Sequence, residues 1–172
     1  KPAFSGKTYY TYLKIIDDTS GSAGWTNKGS YSVTNKPTLG TITPASGTGQ
    51  KDITQNFTAI YSDADGWSNL KEARLLINAS TSGANCFYAY YDQNANKLYL
   101  RNDANTAWLG GYAPGSSYTI ENSFAKLNCA TTSVSGSASA MTVNWSVVLK
   151  APFTGTKNTY LYVADDTNAY AG

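Results

Sequence analysis

Apolar and polar residues alternate with a period of two in run after run of this sequence. In TVNWSVVLK, Val143, Trp145, Val147 and Leu149 fall on one side, and Thr142, Asn144 and Ser146 on the other. FTAIYSD does the same with Phe57, Ala59 and Tyr61, EARLLIN with Ala73, Leu75 and Ile77, and CFYAYY with Phe87, Ala89 and Tyr91. KLYLRND alternates Leu98 and Leu100 with Tyr99 and Arg101. Successive side chains of a strand point to opposite faces, so each run predicts a strand with one face in a core. Turn-forming Gly, Asn, Asp and Ser separate the runs, as in DQNANK and RNDANTAWLGG. No segment carries a 3.6-residue period, and strong helix formers are scarce: the glutamates are Glu72 and Glu121 alone. The expected fold is all-β, an antiparallel sandwich.

A second pattern runs along the whole chain. FSGKTYYTYLKIIDDTSGSAG near the start returns as FTGTKNTYLYVADDTNAYAG at the end. Asp17-Asp18-Thr19 aligns with Asp165-Asp166-Thr167, Tyr12 with Tyr160, Leu13 with Leu161 and Gly24 with Gly172, an offset of 165 − 17 = 148 residues. Phe4 meets Phe153 after a one-residue gap, and Lys1 meets Lys150. An internal repeat at a fixed spacing marks a repeat architecture. Residues 1–34 therefore read as the terminal hairpin of a preceding or partner repeat. The Pro-, Gly- and Thr-rich residues 35–50 read as a linker, and residues 51–172 as a sandwich body lacking its last strand. The opening at Lys1, without Met or a signal segment, suggests a processed or excised piece of something longer.

Four strings carry a family likeness: NKLYLRNDANTAWLGG, ENSFAKLNC, VNWSVVLKAPFTGTKNTYLYVADD and the Gly24-Trp25 turn. Together they resemble the tandem repeat modules of large secreted bacterial surface proteins. Those modules look like immunoglobulin or fibronectin type III sandwiches and have no assigned catalytic role. The resemblance implies an immunoglobulin-like sandwich at the cell surface or outside the cell. It implies copies of itself or adjacent repeats as partners. YSDADGWSNL separately resembles the DxDG turns of bacterial cadherin-like repeats.

Several residue groups are candidates for specific chemistry. Cys86 and Cys129 make an even pair that a secreted chain would oxidise to a disulfide. Asp63 and Asp65, with the pairs Asp17-Asp18 and Asp165-Asp166, offer hard oxygen ligands for calcium, although Asp-Gly and Asp-Asp are also ordinary turn formers. Apart from calcium no cofactor is expected. Trp67, Trp108 and Tyr112 lie beside turns, where exposed rings can form a sugar platform, whereas Trp145 belongs to a core.

Other classes are excluded. The chain has no histidine, which removes Ser-His-Asp and Cys-His nucleophile systems and the commonest transition-metal ligand. The two glutamates do not suggest a glycosidase pair, and no enzyme is expected. Its thirteen Lys and Arg are scattered and the net charge is +2, so there is no basic patch for nucleic acid. No run of about 18 apolar residues predicts a membrane-spanning helix.

A sandwich missing a strand exposes unpaired backbone at its edge. The expected function is thus an extracellular structural repeat that assembles head-to-tail by strand complementation into a filament or stalk. Tyr12, Leu13, Ile15, Tyr31 and Val33 would carry the donated hairpin. A carbohydrate-binding or adhesin module is the alternative, with glycans as partners.

Overall fold

A computed structural model describes residues 7–172, and divides the chain into two units, Lys1–Asn35 and Lys36–Gly172. Lys1 and Phe4 of the repeat lie outside the described residues. The first unit is one antiparallel hairpin of β1 (Lys7–Ile16) and β2 (Ser22–Val33).

The second unit begins where a linker was expected. Pro37 is buried, and β3 (Thr38–Thr43) pairs with β4 (Thr54–Ser62) through Thr38↔Ser62, Leu39↔Tyr61, Ile42↔Ala59 and Thr43↔Thr58. The Pro/Gly/Thr composition disguised an edge strand, where proline and glycine are tolerated. Gly40 is there for space: a Cβ on it would lie 2.9 Å from Ile60 Cβ.

A 3₁₀ turn (Trp67–Asn69) then leads into β5 (Leu70–Asn78), β6 (Phe87–Asp92), β7 (Lys97–Arg101) and β8 (Trp108–Tyr112). After these come β9 (Thr119–Glu121), β10 (Ala125–Asn128), β11 (Ser133–Ser137) and β12 (Ala140–Leu149). The chain returns through β13 (Asn158–Asp165) to β14 (Tyr170–Ala171).

These strands form two antiparallel sheets. One runs β3-β4-β12-β10-β9, with β11 also on β12; the other runs β14-β13-β5-β6-β7-β8. Alternation explains the core between them. β4 contributes Phe57, Ala59 and Tyr61, and β12 contributes Met141, Val143, Trp145 and Val147; the other sheet answers with Ala73, Leu75, Phe87, Ala89, Leu98, Leu100 and Val163. Each fully buried aliphatic side chain here is worth about 1.5–3 kcal/mol relative to exposure. An all-β sandwich is therefore what the period-two runs specify.

The turns follow their side chains. Asn96 and Asn105 take left-handed backbone (φ 52° and 57°) in the DQNANK and RNDANTAWLGG stretches. Asparagine tolerates that region better than most residues. The second stretch, expected to be all turn, turns only over residues 102–107, and its WLGG end opens β8. The Asn102 carboxamide oxygen also accepts from the Thr106 and Ala107 amides at 2.8 and 3.1 Å. These two connections set the tight β6–β7 and β7–β8 hairpins.

Candidate functional site

The two copies of the repeat have the same local structure. In the hairpin Ile15 pairs with Ala23 and Ile16 with Ser22; adding 148 to each gives Val163↔Ala171 and Ala164↔Tyr170, which are the β13–β14 pairs. The turns agree as well. Asp17 Oδ1 accepts from the Thr19 amide (3.0 Å), the Thr19 hydroxyl (2.9 Å) and the Gly21 amide (2.7 Å). Asp165 Oδ1 accepts from the Thr167 amide (2.8 Å), the Thr167 hydroxyl (2.8 Å) and the Ala169 amide (2.9 Å). Ser20 and its counterpart Asn168 both have positive φ, 68° and 66°. The β1–β2 and β13–β14 hairpins are thus one structural element present twice.

Their surroundings differ. β13 lies between β14 and β5, with Leu161 opposite Leu75 and Val163 opposite Ala73; among the described residues β1 has β2 as its one neighbour. Val163 is fully buried and Leu161 packs on the core, whereas Leu13 and Ile15 are 64% and 72% exposed. Tyr12, Trp25 and Tyr31 are exposed too, while Val33 is half-buried. The expected assembly residues therefore fall on one hairpin. Tyr12 and Trp25 line a shared apolar dent, and Leu13 and Ile15 belong to the set whose counterparts face the core.

The aspartates act as turn acceptors. Asp63 is buried and spends both carboxylate oxygens, Oδ1 on the Asp65 amide (2.8 Å) and Oδ2 on the Asn69 carboxamide (3.3 Å). The Thr19 hydroxyl and the Gly21 amide hold the exposed Asp17 carboxyl below its usual value. Asp166 accepts from Asn94 Nδ2 at 2.7 Å. Among the described residues no three acidic, cysteine or histidine side chains converge on one point. Asp17-Asp18, Asp63 and Asp65, and Asp165-Asp166 are accordingly placed in three separate turns.

Cys86 and Cys129 are both buried and both free thiols, so the structure lends the expected disulfide no support. Cys86 directs its Sγ at the Ser82 carbonyl (3.8 Å) at the mouth of β6. Cys129 follows β10 on the opposite sheet, its amide donating to Tyr118 O and its carbonyl accepting from the Gly115 amide. Burial alone, with no cation beside it, pushes the Cys86 thiol up to about 11 and also raises Cys129.

The three rings expected to share a platform lie in different settings. Trp108 is on the outer face of the β5–β8 sheet, 5.1 Å from Tyr88 and 5.2 Å from Tyr90, with the Arg101 guanidinium 4.3 Å above it. Arg74, ion-paired to Glu72 at 2.8 Å, stacks on Tyr162 at 4.7 Å in the same layer. Cation–π contacts of this kind stabilise a sheet face without any ligand. Tyr112 stacks on Tyr118 at 4.0 Å.

Trp67 stands apart, at the wall of a cleft of about 390 Å³ that it shares with Tyr91, Gln93, Asn96, Ser135 and Gly136. Its amide donates to Ala138 O (3.0 Å), and its ring lies against Gly136, where a Cβ would come within 2.0 Å of Cδ2. Across the cleft the Tyr91 hydroxyl donates to Asn96 Oδ1 at 3.0 Å. Apart from Trp67 and the strand residue Tyr91, these residues gave no functional signal in the sequence, because Gln93 and Asn96 belong to the DQNANK turn.

Comparison with protein-family models, with curated proteins and with solved structures finds no match for this chain.

Proposed function

We propose that the chain is an extracellular structural repeat whose N-terminal hairpin completes the sandwich of a neighbouring module, giving head-to-tail assembly into a filament or stalk. One observation carries the reading: the β1–β2 hairpin repeats β13–β14 in register and turn, yet leaves exposed the residues Leu13 and Ile15 whose counterparts Leu161 and Val163 pack in a core. A two-stranded hairpin is marginally stable in water, and this one has no third strand among the described residues. The surface it fits is the β5 edge that β13 uses, so on a second copy of this chain the hairpin would take the place of that copy's own β13–β14. By the same 148-residue offset, Leu13 would face a Leu75 equivalent and Ile15 an Ala73 equivalent of the neighbouring module.

Such a contact joins a hairpin on one module to a sheet edge on the next. The two surfaces differ, so the contact is heterologous and propagates where the rotation does not close a ring. Main-chain pairing supplies affinity, and alternate side chains supply specificity. The immunoglobulin-like identity, the extracellular setting and the partners, which are copies of the chain or adjacent repeats, belong to this proposal and rest on the repeat and on the likeness of the quoted motifs.

Sedimentation and negative-stain electron microscopy of the full chain, beside a chain lacking residues 1–34, test it. Concentration-dependent oligomers or fibres from the full chain alone are expected. Monodisperse particles from both would overturn it.

A further inference from the structure

We propose that the cleft beside Trp67 binds a neutral hexopyranose unit of a glycan, a role separate from hairpin-mediated assembly. At about 390 Å³ the cleft falls within the size range of small-molecule sites. Its chemistry narrows the ligand. One wall is the Trp67 indole, held flat by Gly136 and by the 3.0 Å bond from its amide to Ala138 O. The rim carries the uncharged hydrogen-bonding groups of Tyr91, Gln93, Asn96 and Ser135 beside apolar Pro114 and Val134. Asn96 accepts from Tyr91 through Oδ1, which leaves its Nδ2 protons to donate. Gln93 and Ser135 line the same cleft, and neither side chain is bonded to another described residue.

No carboxylate, ammonium or guanidinium lines this cleft. A charged ligand would lose hydration there without a counter-charge. A wholly apolar ligand would cover the amides of Gln93 and Asn96 and leave them unpaired, at a cost for each. A pyranose satisfies both walls, with its C–H face on the indole and its hydroxyls on the amide and hydroxyl groups. Burial also raises the Tyr91 hydroxyl above its usual value, with Asp92 adding to the effect, so it stays a donor at neutral pH. The ring platform is fixed by backbone bonds before any ligand arrives, which lowers the ordering cost of binding.

The test is titration of the full chain with cellotetraose, maltotetraose, mannotetraose and chitotetraose, followed by tryptophan fluorescence and calorimetry. Tetragalacturonate serves as the charged comparison. At least one neutral tetrasaccharide should bind with Kd below about 10 mM, and both Trp67→Ala and Gln93→Ala should weaken it by about tenfold or more. Trp108→Phe and Trp25→Phe should leave it unchanged. Trp67→Phe, which keeps a ring against Gly136, guards against loss of fold and should retain weakened binding. Three results overturn the proposal: no signal from any of the four neutral sugars at about 10 mM, binding that survives Trp67→Ala, or tighter binding of tetragalacturonate. Oligomer size is read in the same samples, so a failure here is distinct from a failure of assembly.

Discussion

Asp17 and Asp165, 148 positions apart, each accept the same three hydrogen bonds from the same three turn positions. Asp165 is fully buried and Asp17 is exposed, so one motif carries two different energetic weights. Asp165→Ala strands two amides and a hydroxyl at the end of β13 and should destabilise the sandwich by about 2–4 kcal/mol. Asp17→Ala removes the same bonds where water can replace them, and the main unfolding transition should not move. Urea denaturation followed by tryptophan fluorescence separates the two. Equal shifts for both variants would mean that the hairpin and the sandwich unfold as one unit.

The pair Ile15 and Val163 makes the same point for packing. Val163 is fully buried opposite Ala73, and truncation to alanine should cost about 1–3 kcal/mol. Ile15→Ala exposes nothing new within its own chain and should leave the sandwich's stability unchanged. Its effect should appear in sedimentation, as weaker self-association. An Ile15→Ala chain that assembles like the original would remove this side chain from the contact.

Lys14 occupies the place that Tyr162 holds in the second copy, and Tyr162 is the ring on which Arg74 stacks at 4.7 Å. On an exact copy of the sandwich, Lys14 would set an ammonium beside that guanidinium. Lys14→Tyr restores the ring and should tighten self-association by about 2- to 30-fold, the equivalent of a cation–π contact of about 0.5–2 kcal/mol. Sedimentation equilibrium of the two chains reads this directly. Weaker association in the variant would argue that the hairpin's acceptor does not have the β5 register.

Cys86 and Cys129 give a chemical check on the core. With the Cys86 thiol raised from 9.0 to about 11, its thiolate fraction at pH 8 is about 100-fold below that of an unperturbed cysteine. Neither thiol should react with a disulfide reagent in the native protein within minutes, and two should react in urea. Mass spectrometry that finds an intact disulfide instead would contradict the free thiols of the structure.

What the sequence reveals depends on how far each feature reaches. β4, β5, β6, β7 and β12 are legible because each buries its own alternating residues, such as Val143, Trp145 and Val147 in β12. β3 is not, because Pro37 and Gly40 give an edge strand the composition of a linker. β11 reads SVSGS, too small and polar to show a face; it is a strand because β12 pairs with it from Ser133↔Asn144 to Ser137↔Ala140. The hairpin was legible as a repeat, since two similar strings specify two similar turns. The Trp67 cleft was not, because Trp67, Gln93 and Gly136 come from a 3₁₀ turn, a hairpin turn and a strand that meet only once the sheets have packed. Proximity of that kind is a property of tertiary structure, and no local spacing encodes it.

Stability should be flat through the neutral range and fail on the alkaline side. With no histidine in the chain, no side chain of ordinary pKa changes charge between about pH 5 and 8. Tyr61 is fully buried and donates its hydroxyl to Arg74 O at 3.0 Å, and burial raises it far above the usual tyrosine value of 10.0. Burial raises Tyr90 as well, with the carboxylate of Asp92 accepting from its hydroxyl at 3.0 Å. A group whose folded pKa exceeds its unfolded one contributes fully below the unfolded value, and that contribution is lost as pH rises above it. From about pH 10 upward, Tyr61 alone should therefore cost about 1.4 kcal/mol of stability per pH unit. Urea midpoints at pH 7, 9, 10 and 11 measure the slope, and ultraviolet titration shows which tyrosines ionise before unfolding. In Tyr61→Phe the alkaline slope should shrink by that amount, although its stability at pH 7 falls by about 1 kcal/mol for the lost hydrogen bond. A midpoint at pH 11 equal to that at pH 7 would show that the Tyr61 hydroxyl reaches solvent and that the core around Trp145 and Leu75 is looser than the packing of the two sheets implies.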